Sequence, residues 1–208
     1  VGRLPSVLAQ VSLGLPGGDA YEPLALAFDE AGQAVALCYY GSAASEATSL
    51  LVTLDLARAS RGRAWPLPGR TIGPLAAAHG QAYVAYEDAE RRQHLAAVDL
   101  STGETLADVT TDFLYSGDTL LCDNTGRLYI PLADRLEVRD GATLQLVRSL
   151  PYGGRPRERA LALDTKRGCL YLITDERLRA YRLVDLRPLW DVPGPGGSLQ
   201  HLIVDRAG

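Results

Sequence analysis

Leu95-Ala-Ala-Val-Asp-Leu-Ser-Thr-Gly-Glu-Thr-Leu-Ala-Asp-Val109 reads as an apolar strand, a D-L-S-T-G turn and a second apolar strand running back. The Asp99 side chain can accept backbone N–H bonds two residues on, and Gly103 can take the positive φ that closes a short loop. A hairpin is therefore expected here, and versions of it recur along the chain.

A second hairpin lies upstream in each unit. Its turn is a glycine followed three residues later by Tyr or Val: Gly32-Gln-Ala-Val35, Gly80-Gln-Ala-Tyr83, Gly126-Arg-Leu-Tyr129 and Gly168-Cys-Leu-Tyr171. Asp29, Asp123 and Asp164 open three of these turns. With a fifth copy ending at Gly208, successive glycines lie 48, 46, 42 and 40 residues apart, the length of a four-stranded propeller blade. The third and fourth copies align without a gap, DRLEVRDGATLQLVRSLP from Asp134 over ERLRAYRLVDLRPLWDVP from Glu176. Each unit then holds a strand a (24–28, 75–78, 120–122, 161–163), a strand b after the glycine, a strand c (50–54, 95–98, 136–138, 178–181) and a strand d. Apolar residues alternate or cluster between Gly, Pro and Asp instead of recurring at helical spacing, so no helix is supported.

The fold class predicted is all-β: one partial β-propeller over 1–208, with antiparallel blades at about 20–69, 70–113, 114–155 and 156–194, and 195–208 starting the next. Ser6 to Asp29 resembles Ala142 to Asp164, and no Met is present. The chain is thus expected to begin within a strand d and to end after a strand a. This suggests an open arc, as a segment of a six- to eight-bladed propeller or as a processed product. Its end faces are expected to self-associate, or to meet the rest of the same propeller, through Val7, Val11 and Leu13 at one end and Leu199, Leu202 and Val204 at the other.

With 47% hydrophobic and 22% charged residues the composition is globular. A net charge of −4 argues against a nucleic-acid groove, which needs a basic face. No apolar run approaches the ~20 residues of a membrane span, and the first residues do not read as a basic, apolar and small-residue signal sequence, so a soluble chain is expected. Twenty Arg to the single Lys166, and the one Asn at 124, fit a GC-rich genome or a thermophilic source. Cys38, Cys122 and Cys169 fall in different blades without CxxC or His-spaced partners and are expected to be small buried thiols.

Ala97-Val-Asp-Leu-Ser-Thr-Gly-Glu-Thr-Leu106 resembles the A-x-D-x-x-T-G-K-x-x-W turn of quinoprotein-type and YVTN-type β-propeller repeats, and the Gly-x-Leu-Tyr strands are similar to second strands of that WD40-like superfamily. The resemblance covers nearly the whole chain at blade level. It implies lactonases, quinone-dependent dehydrogenases, scaffolds or binding proteins, and leans toward an extracytoplasmic location, while the residues themselves leave the compartment open. Ala107 stands where the pattern has Trp, and Trp65 and Trp190 occupy strand d of two other blades. Bound quinone is not expected without a full tryptophan set.

Asp123-Asn-Thr-Gly126 resembles the start of a calcium loop, but its oxygen ligands stop after two and no Glu follows at the twelfth position, so a hairpin turn is expected. Gly17-Gly18 and Gly194-Pro-Gly-Gly197 carry no phosphate-binding pattern and read as connections between blades. His79, His94 and His201 have no metal-ligand spacing and are expected to be satisfied surface groups. No metal or organic cofactor is predicted.

In a propeller the d-to-a and b-to-c connections emerge on one side, where ligands usually bind. These hold Tyr21, Glu22, Asp118, Arg155, Arg157, Glu158, Arg159, Gln200 and His201, and farther out Glu87, Asp88, Asp134, Arg135, Asp175 and Arg177. The three arginines of Gly153-Gly-Arg-Pro-Arg-Glu-Arg159 could clamp a carboxylate or phosphate. The function predicted is a non-catalytic binding or scaffold propeller for a protein or ligand partner. The alternative is a lactonase-type or quinoprotein-type enzyme whose site residues lie partly outside this chain.

Overall fold

Four left-handed glycines set the architecture. Gly32, Gly80, Gly126 and Gly168 have φ of 82°, 72°, 79° and 65°, a region costly for side chains with a Cβ, and each closes the turn between the first two strands of a sheet. The computed structural model describes residues 22–40, 48–111, 119–151, 159–174 and 177–194. The first sheet comprises β1 (Glu22–Phe28), β2 (Ala34–Tyr40), β3 (Thr48–Asp55) and β4 (Ser60–Pro66). The second comprises β5 (Arg70–Ala78), β6 (Gln81–Glu87), β7 (Gln93–Asp99) and β8 (Thr105–Thr110). The third comprises β9 (Leu121–Cys122), β10 (Arg127–Pro131), β11 (Arg135–Asp140) and β12 (Leu146–Pro151). The fourth comprises β13 (Arg159–Asp164), β14 (Cys169–Thr174), β15 (Arg177–Arg182) and β16 (Pro188–Pro193). Every sheet is an antiparallel meander in chain order and none closes on itself, so the fold is all-β with four propeller-type blades.

The turns obey the local chemistry. Asp123 receives N–H bonds from Thr125 and Arg127, the Thr125 hydroxyl at 2.7 Å and the Tyr129 hydroxyl at 2.9 Å. That leaves the aspartate committed to its hairpin. Asp99 likewise accepts from the Ser101 and Thr102 backbones at 2.7 and 2.9 Å. Between third and fourth strands the left-handed position is Ala59, Gly103, Leu144 and Leu186 in turn. Leucine is tolerated there because its side chain is buried at 0% and 5% exposure.

Register explains how the sheets stack. Across each sheet one row joins the residue three after the glycine to the third and fourth strands: Tyr83, Ala97, Ala107; Tyr129, Val138, Arg148; Tyr171, Ala180, Trp190. Val35 and Thr53 begin the same row in the first sheet, where Thr53 bonds the Arg63 backbone. This is the forward face. Val35 packs with Val84 and Val98 of the second sheet, Tyr83 with Leu128 and Ile130 of the third, and Tyr129 with Leu170 and Leu172 of the fourth. Burying each tyrosine stabilises by roughly 2–3 kcal/mol.

Strand d adds cross-sheet ties. Arg63 donates to the Ser101 carbonyl of the second sheet, and Arg148 donates to the Asp185 carbonyl of the fourth. The two tryptophans differ in register: Trp190 pairs with Ala180 in the forward row, whereas Trp65 sits two residues along, opposite Leu51, and covers Gly103 of the next sheet.

Tyr171 shares the place of Val35, Tyr83 and Tyr129; it is half-buried and meets Trp190 of its own sheet at 6.0 Å. One expectation is corrected. Of the three thiols, all free, only Cys38 is fully buried; Cys122 and Cys169 are half-buried beside turns whose tips, Asn124 and Thr125 in one and Thr165 to Arg167 in the other, are exposed. The end-face residues Val7, Val11, Leu13, Leu199, Leu202 and Val204 lie outside the described residues.

Candidate functional site

Antiparallel pairing places the start of the first strand, the end of the second and the start of the third at one end of each sheet. Arg70 pairs with Glu87 and Glu87 with Gln93; Arg159 pairs with Thr174 and Thr174 with Arg177. The connections singled out from sequence therefore share this end. Glu22 opens β1 there, exposed and opposite Tyr39. Arg159 opens β13, with its side chain outside the described residues. Tyr21, Asp118, Arg155, Arg157, Glu158, Gln200 and His201 also lie outside them.

The best-ordered chemistry at this end is one that sequence inspection passed over. His94 Nδ1 faces Asp108 at 2.8 Å and its Nε2 faces Asp88 at 3.1 Å. Tyr86 stacks on the imidazole at 4.9 Å, and its hydroxyl donates to Asp108. Arg92 closes the loop, its backbone N–H and its Nε each 2.8 Å from the Asp88 carboxylate. The bond to Asp108 raises the His94 pKa against a smaller burial effect, with Asp88 adding to the rise. Burial acts to raise the Asp88 pKa, but the Arg92 and His94 hydrogen bonds outweigh it and hold the carboxyl at about 2. With 16% side-chain exposure, His94 is not the surface group expected. Both nitrogens are engaged, which suits a charged clamp on the loop and leaves no lone pair for a metal or a proton transfer.

His79 lies at the opposite end, in its predicted turn, with φ of 53°. Its Nδ1 pairs with Glu30 at 2.8 Å, and the Glu30 carboxylate also accepts the His79 backbone N–H. In the third sheet Glu137 is 3% exposed, between Arg135 at 2.9 Å and Arg139 at 2.7 Å. The Arg139 guanidinium also donates to the Leu144 carbonyl at 2.8 Å, tying the pair to the left-handed turn.

Two of the thiols, Cys38 and Cys122, are poor nucleophiles. Burial raises the Cys38 pKa, and burial pushes the Cys122 thiol up to about 11. Among the described residues no group of three or more His, Cys, Asp or Glu is placed to hold a metal ion. No helix among them is long and apolar enough to cross a membrane.

No family model and no curated protein matches the chain. Solved structures do. BamB from Moraxella catarrhalis, a β-propeller, is similar at 17% identity and a TM-score of 0.57 over 85% of this chain and 51% of that one. A protein of unknown function from Bacteroides caccae is similar at 17% identity and a TM-score of 0.52 over 86% of this chain and 65% of that one. The chain thus spans about half and about two thirds of their lengths, and the likeness establishes the fold alone.

Proposed function

We propose that the protein is a binding or scaffold β-propeller whose partner, a protein or an anionic ligand, docks at the end of the sheets that carries Glu22, the clamped 88–93 loop and Arg159. The observation that supports this most is the His94 clamp. It spends two carboxylates, a tyrosine and an arginine on holding a loop at the binding end rather than on a reacting centre. Rigid loops on a sheet scaffold are what recognition requires. Tyr21, Asp118, Arg155, Arg157, Arg159 and His201 are the residues proposed to contact the partner with Glu22. The exposed forward face of the fourth sheet, with Trp190 and Val192 each 42% exposed, is proposed to meet a further blade or another copy of the chain.

The test is site-specific photo-cross-linking in the source cell, with the probe at Glu22 or Arg159 at the binding end and at Asp55 or Arg167 at the turn end. Adducts are expected from the first pair only. The captured protein should then bind the purified chain and lose affinity on Arg159→Glu. Adducts from the turn end alone would remove the proposal.

A further inference from the structure

The first sheet buries both of its faces, but only one of them against a described neighbour. Val35, Leu37 and Leu51 point into the core shared with the second sheet. Alternation along β2 and β3 turns Ala36, Cys38, Leu50 and Val52 to the opposite face, where Ala36 pairs with Val52 and Cys38 with Leu50. These four are at most 8% exposed, yet the cluster they form with Leu54 holds no residue from any other described sheet. A sheet face open to water does not shield a leucine, a valine and a thiol to this degree, so another part of the chain covers them.

The cover is narrow. On the same face β1 is bare, with Leu26, opposite Ala36, and Phe28, opposite Ala34, 56% and 53% exposed. On the other flank Ala64, opposite Val52, and Pro66, opposite Leu50, are exposed as well. Where a whole sheet supplies the cover the result differs: Leu161, three residues before Asp164 as Leu26 is before Asp29, packs in the core shared with the third sheet and is 2% exposed. Strands in a sheet lie about 4.8 Å apart, so what covers β2 and β3 and spares β1 and β4 is one or two strands wide.

Connectivity selects the segment. Residues 1–21 lie outside the described residues and run directly into β1. Within them Val7, Ala9, Val11, Leu13 and Leu15 alternate with Leu8, Gln10, Ser12 and Gly14, the period-two pattern of a strand with one apolar side. Nine extended residues measure about 30 Å, longer than the seven-residue β2. The six residues from Pro16 to Tyr21 reach about 20 Å, enough to cross the roughly 10 Å between stacked sheets, and Pro16-Gly17-Gly18 is turn chemistry. The 41–47 connection offers no apolar side chain larger than alanine. The 195–208 segment follows β16 on the fourth sheet, where Ile173, two residues from Tyr171 on the forward face, is 4% exposed and absent from the core shared with the third sheet. That segment has a buried face of its own beside it.

We infer that residues 7–15 lie as an extended strand over β2 and β3 of the first sheet, their apolar side turned onto Cys38, Leu50 and Val52. The chain thereby seals the middle of its own end sheet and leaves Leu26 and Phe28 as a strip one strand wide. Val7, Val11 and Leu13 serve an internal contact and not one with another copy. The inference goes beyond the binding proposal and does not depend on it.

The test uses the full chain with Cys122→Ser/Cys169→Ser, which leaves Cys38 as the single thiol. Its reaction with N-ethylmaleimide should be slow, and Val11→Asp/Leu13→Asp should speed it about tenfold or more by opening the cover. Leu199→Asp/Leu202→Asp should leave the rate unchanged. Methyl-labelled protein gives a second reading without charged substitutions: nuclear Overhauser effects are expected from the Val11 and Leu13 methyls to those of Leu50 and Val52, within one molecule in a mixed-label sample. Rapid labelling of Cys38 in the parent, or a rate unmoved by the Val11 and Leu13 changes, overturns the inference. So does a rise on the Leu199 and Leu202 changes alone, which assigns the cover to the other terminal segment. If the aspartate pair unfolds the chain, the Overhauser effects decide, and their absence or their appearance only between molecules overturns the inference.

Discussion

Replacing Gly103 by Ala tests how consecutive sheets interlock. Gly103 has φ of 81°, and a Cβ built there would lie 1.8 Å from Trp65 Cδ1 and 2.4 Å from Cγ. The left-handed backbone costs an alanine about 1 kcal/mol, a strain that Ala59, Leu144 and Leu186 already bear at the same turn position. The overlap is additional. Because it involves Cγ as well as the ring rim, the indole must move as a body, and overpacking of this kind costs about 1–3 kcal/mol. The total expected is about 2–4 kcal/mol. Gly80 supplies the control from the same sheet, since its φ is 72° but nothing lies within 4 Å of the added Cβ. Gly80→Ala should cost only about 1 kcal/mol. Urea unfolding of both variants gives the comparison, and Trp65 fluorescence reports the displaced ring. In a Trp65→Leu background the Gly103→Ala penalty should fall to the Gly80→Ala level. Equal costs for the two glycine variants in the parent chain would refute the reasoning.

Glu137→Ala leaves the Arg135 and Arg139 guanidiniums beside a buried gap and should destabilise by about 3 kcal/mol, measured by thermal unfolding; a change below about 0.5 kcal/mol would show that the arginines find water instead. The His94 clamp sets a pH window. His94 has a raised folded pKa, so its contribution is complete below its unfolded value of about 6.5 and is lost as pH rises through the folded one; Asp88 has a lowered pKa, so its contribution is complete above about 4 and is lost as pH falls toward 2. Hydrogen exchange of the 88–93 amides, corrected for intrinsic rates, should therefore be slowest between about pH 4 and 6.5. His94→Gln should abolish the alkaline limb, and a flat profile in the parent chain would exclude the clamp.

Much of the fold was legible because its signals are local. A glycine turn, an aspartate three or four residues before it and an apolar residue three after it lie within one hairpin, and all four glycines adopt the positive φ that this pattern requires. What stayed hidden depends on pairing between distant strands. His94 meets Asp108 only because β7 and β8 align, and meets Asp88 only because the β6–β7 loop folds back, so no spacing motif marks the set. Trp65 and Trp190 both fall on a fourth strand, yet Trp65 lies six residues after the left-handed Ala59 and Trp190 four after Leu186, so pairing sets them two residues apart in register. The Arg148 tie depends on how two sheets face one another, which one strand's sequence does not specify. Of the contact residues proposed at the loop end, Glu22 and the backbone of Arg159 are the ones placed by the structure, and the position of Arg159 was readable from the run of apolar residues that follows it.

The most direct measurement of the central claim, that each sheet's forward row packs into the next sheet, is the set of NMR contacts made by the Tyr83 ring. The Tyr83 hydroxyl lies 2.5 Å from where a Gly141 Cβ would be, and its ring shares a core with Leu128 and Ile130. Stacked blades require nuclear Overhauser effects from Tyr83 to the Gly141 α-protons and to the Leu128 and Ile130 methyls. A Tyr83 ring that instead shows contacts only to Val35, Leu37 or Leu51 of the first sheet would contradict the stacking and the propeller built on it.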